Sequence, residues 1–434
     1  PFSAPHAARR LQRAHPHAAV IASTLDAPLQ RALEALARTY ARDLERDATL
    51  AILVVDIKSR AVRASVGGAG LERAGGYIDM TRAVRSPGSA LKPFIYALAF
   101  NDGIAAPETL VLDAPRRFSG YMPENFDRRF HGDVRLEEAL QHSLNLPAVA
   151  TLDRVGAARF EAALVSAGAH PRLPRRARAE PGLALALGGV GMTLEEMTAL
   201  YATLGGEGQA RRLTIDGPQP FAFSRAFVRA ETAKKVIDIL ARSPTPDGRI
   251  PAQLSQGAPR VAFKTGTSYG FRDAWAFGVG GGYAIGVWVG RPDGAPRPGA
   301  TGRAAALPIL FEAFDRLGLA PEEYQRASPR AAPAPGVARL ETRASGGGGP
   351  AILFPPDQSE VLVLDYGARS RGLSLSASGG RAPLSWFAEG ARVPMEETSG
   401  RAIWRPSAPG FHDVTVVDAD GRSARVRVRI RSAG

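Results

Sequence analysis

"VAFKTGTSYGFRDAWAFGVGGGYAIGVWVG" (Val261–Gly290) contains three short apolar runs, VAFKTG, RDAWAFGVGG and YAIGVWVG, with glycine-rich turns between the last two. Each run has the length and residue types of a β-strand, and the set reads as antiparallel. An earlier stretch has the same texture. "TLAILVVDIKSRAVRASVGG" (Thr49–Gly68) reads as two strands around a polar turn at Lys58-Ser59-Arg60. Most of the sequence between these stretches is helical in pattern, and Ala304–Leu317 reads as a closing helix. Strands at both ends of a helical segment predict one sheet assembled from the two ends of a domain. That is an α+β architecture, not a doubly wound one.

Outside this block the texture changes on both sides. Residues Pro1 to about Ser23 are rich in Ala, Arg, His and Pro and show no clear period. A helix is expected next, with Leu29, Leu33, Leu36, Tyr40 and Leu44 as its apolar stripe, Asp26 as N-cap and Pro28 in the first turn. Beyond Leu319, "ASPRAAPAPG" (Ala327–Gly336) and "SGGGGP" (Ser345–Pro350) have linker composition. The remainder shows short alternating strands, including a hairpin over Asp413–Ile430 built around Asp420-Gly421, and reads as a small all-β sandwich. The expected division is 1–48 (linker and helix), 49–320 (α+β domain), 321–349 (linker) and 350–434 (β-sandwich). In the last strand Val426, Val428 and Ile430 alternate with Arg425, Arg427, Arg429 and Arg431, so one face is apolar and the other arginine.

Composition narrows the function. A chain of 434 residues exceeds one ordinary core, and 45% hydrophobic residues suffice for two or three. The absence of cysteine excludes disulfide scaffolds, thiol catalysis and cysteine-ligated zinc. No histidine or carboxylate cluster has metal-ligand spacing, so neither metal nor cofactor is expected. The net charge of +13 comes mostly from dispersed arginine, with no basic cluster interleaved with aromatics. Nucleic acid is therefore not the expected partner; a general attraction to anionic surfaces such as lipid or cell wall is. No stretch approaches the roughly 20 apolar residues that span a bilayer. The chain opens at Pro1 and reads as part of a longer precursor, with any membrane anchor or export signal upstream.

"RSPGSALKPFIYALAF" (Arg85–Phe100) places a lysine where lysine is least expected. Pro87-Gly88 signals a turn, and Ala90, Leu91, Phe94, Ile95, Leu98 and Ala99 recur at helical spacing. Ser89 thus falls in the first turn with Lys92 one turn further on the same face, beside a helix end that favours anions. Two further stretches resolve the conflict. "QHSLNLPAVA" supplies Ser143 and Asn145 at a break near Pro147, and "FKTGTS" supplies Lys264, Thr265, Gly266, Thr267 and Ser268 at a strand end. Each motif alone occurs by chance in many chains. In this order they match the Ser-x-x-Lys, Ser-x-Asn, Lys-Thr-Gly signature of penicilloyl-serine transferases.

The chemistry such a set supports is acyl transfer. A serine hydroxyl becomes a nucleophile when a neighbouring base takes its proton, and a lysine buried among cationic neighbours can be that base. Ser89 is the candidate nucleophile, Lys92 its base, and Ser143 a proton relay towards the leaving amine. Asn145 is placed to orient Lys92 and hold a substrate amide. Lys264 would meet a substrate carboxylate, with the Thr265 and Thr267 hydroxyls as donors. Gly266 would admit substrate backbone, and the Ser89 and Thr267 N–H groups would form the oxyanion hole. His142 invites a Ser-His reading, yet no suitable Asp partner is apparent. Trp275 and Trp288 read as core or sheet packing.

Residues from about Thr49 to Leu319 resemble the transpeptidase domain of class A penicillin-binding proteins. The resemblance runs through "RSPGSALKPFIY", "YMPENFD", "LEEALQHSLNLPAV" and "FKTGTSYGFRDAWAFG". It implies a serine transpeptidase/β-lactamase-like fold, an antiparallel sheet flanked by helices. It also implies periplasmic D-alanyl-D-alanine transpeptidase activity on peptidoglycan stem peptides and acylation by β-lactams. Carried over, Ser89 is the acylated residue and Lys92 its base, Ser143 and Asn145 form the second motif, and Lys264, Thr265, Gly266 and Thr267 form the third. "PLSWFAEG" and "GFHDVTVVDADGRSARVRV" resemble the C-terminal domain of the 1C type, which suggests an α2-macroglobulin-like periplasmic partner for that domain. The glycosyltransferase domain of that family has no counterpart here, so bifunctionality is not claimed. Water in place of an acceptor amine would make the same site a D,D-carboxypeptidase or β-lactam hydrolase, and a site that only acylates would be a β-lactam-binding scaffold.

Overall fold

The computed structural model describes residues 3–114, 125, 130–173, 182–217, 224–246, 260–319, 338–340, 349–363, 366–367, 372–396, 401–419 and 421–432. Most of the expected linker 321–349, most of "YMPENFD" and Asp420 lie outside them. The chain forms two compact units. The first comprises Pro1–Pro107, Leu140–Ser143 and Thr151–Ala331; the second comprises Glu108–Ala139, Leu144–Ala150 and Ala332–Gly434.

The first unit is built on a five-stranded antiparallel sheet. In spatial order its strands are Val62–Val66, Thr49–Asp56, Tyr283–Gly290, Asp273–Gly280 and Ala262–Thr267. The two sequence blocks meet where Leu53 pairs with Gly286, at the middle of the sheet. Continuous apolar runs form these strands because both faces are covered. Leu50, Ile52 and Val54 face one way and Ala51, Leu53 and Val55 the other, and none is more than 2% exposed. Its helices and those of the intervening segments are α1 (Pro5–Ala14), α2 (Ala27–Ala41), α3 (Lys92–Asn101), α4 (Leu136–Gln141), α5 (Asn145–Val155), α6 (Ala157–Ser166), α7 (Leu194–Gly205), α8 (Ala230–Leu240) and α9 (Leu307–Asp315). On one face Leu33 and Leu36 of α2 and Leu307, Leu310 and Phe314 of α9 share a core with Ile52, Ala276 and Val287. On the other, Tyr201 of α7 stacks on Phe277 at 4.7 Å and meets Phe94 of α3 edge-on at 5.1 Å.

Helix starts follow local chemistry. Asp26 accepts the Leu29 N–H as the N-cap of α2, and Thr193 with Glu196 forms a capping box on α7. Three details depart from the sequence reading. Helix α1 forms within the stretch that shows no period, held by only three buried side chains, His6, Ala7 and Leu11. Helix α3 has no polar face, since every residue from Lys92 to Phe100 is buried, so it is central to the unit. Pro147 sits in the first turn of α5, where a missing N–H costs nothing, and the break falls earlier, at Ser143.

In the second unit, a four-stranded and a five-stranded sheet share one core, as a sandwich. Phe354, Leu375 and Trp404 come from the first sheet, and Val361, Trp386, Val414, Val416, Val428 and Ile430 from the second. One strand pair, Ser359–Val363 with Ser423–Ser432, is parallel. The arginine face of the last strand is laddered with acids. Arg425 and Arg427 pair with Asp413, the latter at 3.3 Å, and Arg429 and Arg431 pair with Glu360 at 3.7 and 2.9 Å. The sandwich is not separate from Glu108–Ala139. Ala114 belongs to its core, and Leu112 and Phe130 pack against it. Arg339 clamps Asp133 at 2.7 Å, and the Leu110 N–H donates to Ala338 O at 2.9 Å.

Candidate active site

Ser89 lies on a 3-10 turn, Gly88–Leu91, that runs directly into α3. Its side chain is half-buried, and its hydroxyl makes no hydrogen bond among the described residues. The turn rests on the end of the strand Ala262–Thr267. A Cβ on Gly88, whose φ is +54°, would lie 2.3 Å from Thr267 O, and one on Gly266 would lie 2.2 Å from Pro87 O. Backbone meets backbone here, which only glycine permits. The space next to Gly266 is therefore taken by the chain's own Pro87 carbonyl rather than left open for substrate backbone.

Two lysines converge on Ser143. Lys92, fully buried at the head of α3, donates from Nζ to Ser143 O at 2.6 Å. Lys264, 3% exposed, donates from Nζ to Ser143 Oγ at 2.7 Å and to Thr265 O at 2.9 Å. Burial pulls the Lys264 ammonium down to about 7, so near neutral pH its charged and uncharged forms coexist. Ser143 adopts a left-handed backbone with φ +58°, uncommon for a residue with a Cβ, which turns its carbonyl to one lysine and its hydroxyl to the other. Thr265 and Thr267 are half-buried on the strand. Thr267 Oγ1 accepts the Gly302 N–H at 3.0 Å, which leaves its own O–H to donate.

The structure thus brings Ser89, Lys92, Ser143, Lys264, Thr265, Gly266 and Thr267 together in the first unit. Asn145 is counted in the second, at the start of α5, where its backbone N–H donates to Asn125 Oδ1 at 2.7 Å. Asn125 in turn donates to both oxygens of buried Asp113 at 2.9 and 2.8 Å, and His131 Nδ1 lies 2.8 Å from Asp113 Oδ2. His142 is exposed.

Sequence reading passed over a second tier of residues. Asp273 is a buried carboxylate whose Oδ1 accepts the Trp288 indole N–H at 3.0 Å and lies 3.6 Å from Arg85 Nε. The Asp273 backbone N–H donates to Ser268 Oγ at 2.8 Å, and the Ser268 N–H donates to Asp273 O at 3.0 Å. Burial pushes its carboxyl above the usual range, against the pull of Trp288, Ser268 and Arg85. Asp273 therefore ties the segment leading into Ser89 to the strand end that carries Thr267. Trp275 adds a second tie, donating from its indole to Ser86 O at 2.7 Å, so both tryptophans brace the site as well as fill the core. Tyr201 donates to Ala90 O at 2.8 Å from below. A lone Asp at the head of an apolar strand is the one sequence signal in this tier, and it does not name its partners.

Comparison with known proteins gives the same picture. Residues 50–279 match the penicillin binding protein transpeptidase domain, and residues 339–430 match the Penicillin-Binding Protein C-terminus Family. The chain is 44% identical over 294 residues to Penicillin-binding protein 1C of Escherichia coli, covering 67% of this chain and 37% of that protein. It is 32% identical over 265 residues to Penicillin-binding protein 1A of Aquifex aeolicus, covering 55% and 34% respectively. The chain therefore spans well under half the length of these relatives. Among solved structures, the PonA1 protein from Mycobacterium tuberculosis in complex with penicillin V superposes with a TM-score of 0.62 at 21% identity, over 75% of this chain and 95% of that one. Its sheet, its three ordered motifs and a transpeptidase match over more than half its residues show that the chain belongs to the penicillin-binding proteins with a transpeptidase domain.

Proposed function

We propose that the chain is a serine-type D-alanyl-D-alanine transpeptidase that crosslinks peptidoglycan stem peptides through an acyl-enzyme on Ser89 and is acylated there by β-lactams. The observation that carries this reading is the convergence of two buried lysines on Ser143 within the unit that presents Ser89. Lys92 takes the Ser89 proton as the hydroxyl oxygen attacks the penultimate D-alanyl carbonyl. The oxyanion that forms is held by the Ser89 and Thr267 N–H groups, one at a helix head and one at a strand end. Ser143, whose hydroxyl accepts a hydrogen bond from Lys264 Nζ, gives its proton to the departing D-alanine amine and takes one from Lys264 in return. An acceptor amine from a neighbouring stem then resolves the ester. Asn145 and the Thr265 and Thr267 hydroxyls orient the donor peptide, and Lys264 serves Ser143 first and a substrate carboxylate second. The site works at the cell envelope, on the periplasmic side. The sandwich at 350–434 takes a periplasmic protein partner, for which an α2-macroglobulin-like protein is the candidate.

Turnover of a pentapeptide ending in D-Ala-D-Ala, supplied with an acceptor amine, tests the reading. The expected products are crosslinked peptide and free D-alanine, both lost in Ser89→Ala. D-alanine released with no crosslinked product would replace transpeptidation by carboxypeptidase action, and unchanged turnover in Ser89→Ala would refute the mechanism.

A further inference from the structure

Helix α1 carries arginines that the acyl-transfer chemistry does not use. His6, Arg9, Arg10 and Arg13 of this helix, with Tyr77, Asp79 and Arg82 opposite, line a cleft of about 480 Å³ in the first unit. Its floor is fixed by His6, whose ring Nε2 lies 2.8 Å from Gly76 O, and by Asp79, which accepts both the N–H and the hydroxyl of Thr81. Two of the arginines are held by one acid: Arg10 lies 2.8 Å and Arg82 3.6 Å from Glu195. The Arg9 guanidinium carbon lies over the exposed ring of Tyr77, 4.8 Å from its centroid. Arg9 and Arg13 have no carboxylate partner among the described residues, and they stand one helical turn apart, on the same face. With Asp79 and Glu195 set against four arginines, two positive charges in the cleft remain uncompensated.

We infer that this cleft is a binding site for a phosphate-bearing dianion. A phosphate monoester or diphosphate carries two charges on one compact group, which matches the two uncompensated guanidinium groups, whereas a single carboxylate carries one. Guanidinium forks bind tetrahedral oxyanions bidentately, and an arginine already seated on Tyr77 loses little freedom when it does so. Two sources present this chemistry: a soluble phosphate compound and the phosphomonoester headgroup of a phosphatidic acid lipid. The inference is independent of the acyl-transfer reading, because none of the cleft residues belongs to that site.

Calorimetric titration with inorganic pyrophosphate at about 50 mM salt, where surface charges are only partly screened, tests it. The wild-type chain is compared with Arg9→Ser/Arg13→Ser and with Arg31→Ser/Arg38→Ser, which removes the same charge from exposed positions of α2. Pyrophosphate is expected to bind the wild type and the α2 variant alike and the α1 variant at least about tenfold more weakly, the usual worth of a charge-assisted hydrogen bond. Co-sedimentation with vesicles that contain phosphatidic acid, whose headgroup is a phosphate monoester, separates the sources. Vesicle binding that needs Arg9 and Arg13 assigns a lipid headgroup, and pyrophosphate binding without vesicle binding assigns a soluble compound. Equal weakening in both variants, absence of pyrophosphate binding by the wild type, or citrate binding as tightly as pyrophosphate would each overturn the assignment.

Discussion

Lys92 and Lys264 carry the same formal charge and touch the same serine, yet they face different tests. Lys92→Ala removes the base that serves Ser89. Penicillin acylation, followed by stopped-flow with a fluorescent penicillin, should fall by at least about 100-fold, the usual size of a general-base effect. Lys264 makes a prediction about stability. Its folded value is about 7 against an ordinary 10.5, so between these values the unfolded chain holds the proton and the folded chain releases it. Stability linked to this group therefore rises with pH from about 7 towards 10 and is at its lowest below 7, where a charged ammonium must stay buried. Lys264→Met removes that burden, so its gain in Tm over the wild type should be larger at acid than at alkaline pH. A gain independent of pH would show that the buried ammonium does not titrate in this window.

Between single residues and the whole chain stand the turn that bears Ser89 and the strand that bears Lys264. Their contact depends on Gly88 and Gly266, so Gly266→Ala should destabilise the first unit by about 1–3 kcal/mol, the cost of overpacking a closed contact. Asp273→Asn keeps the shape of the tie and removes its charge. Acylation should slow by about 10- to 100-fold through misplacement of the two N–H donors, with Kd for penicillin little changed. Equal acylation rates for Asp273→Asn and wild type would make Asp273 a core residue and nothing more. The main elements of this region were legible in the sequence because each has a local signal. Doubly buried strands read as unbroken apolar runs, Pro87-Gly88 announces a turn, and the three motifs name their own residues. Helix α1 was illegible because alanine and arginine leave too few apolar positions to mark a face. Asp273 and Asn125 were illegible as site-builders because a lone acid or amide takes its meaning from partners distant in sequence.

At the scale of the molecule, the proline- and glycine-rich composition after Leu319 marks a linker and a last domain that follows it. Within the second unit the sandwich is joined to the middle of the chain: Ala114, Leu112 and Phe130 pack with its core, and Arg339 holds Asp133. Such contacts join residues more than 200 positions apart and leave no periodicity to read. Removing residues 345–434 should expose Leu112 and Phe130 and loosen the Asp113–Asn125–Asn145 chain of hydrogen bonds. The truncated chain is therefore expected to acylate more slowly than the full chain. An unchanged rate, with unchanged hydrogen exchange across 108–139, would make the sandwich an independent module. The most direct measurement is intact-mass analysis after incubation with a penicillin, followed by peptide mapping of the adduct. One covalent penicilloyl group is expected, on the peptide that contains Ser89, and none in Ser89→Ala. An adduct on another residue with Ser89 unmodified would contradict it.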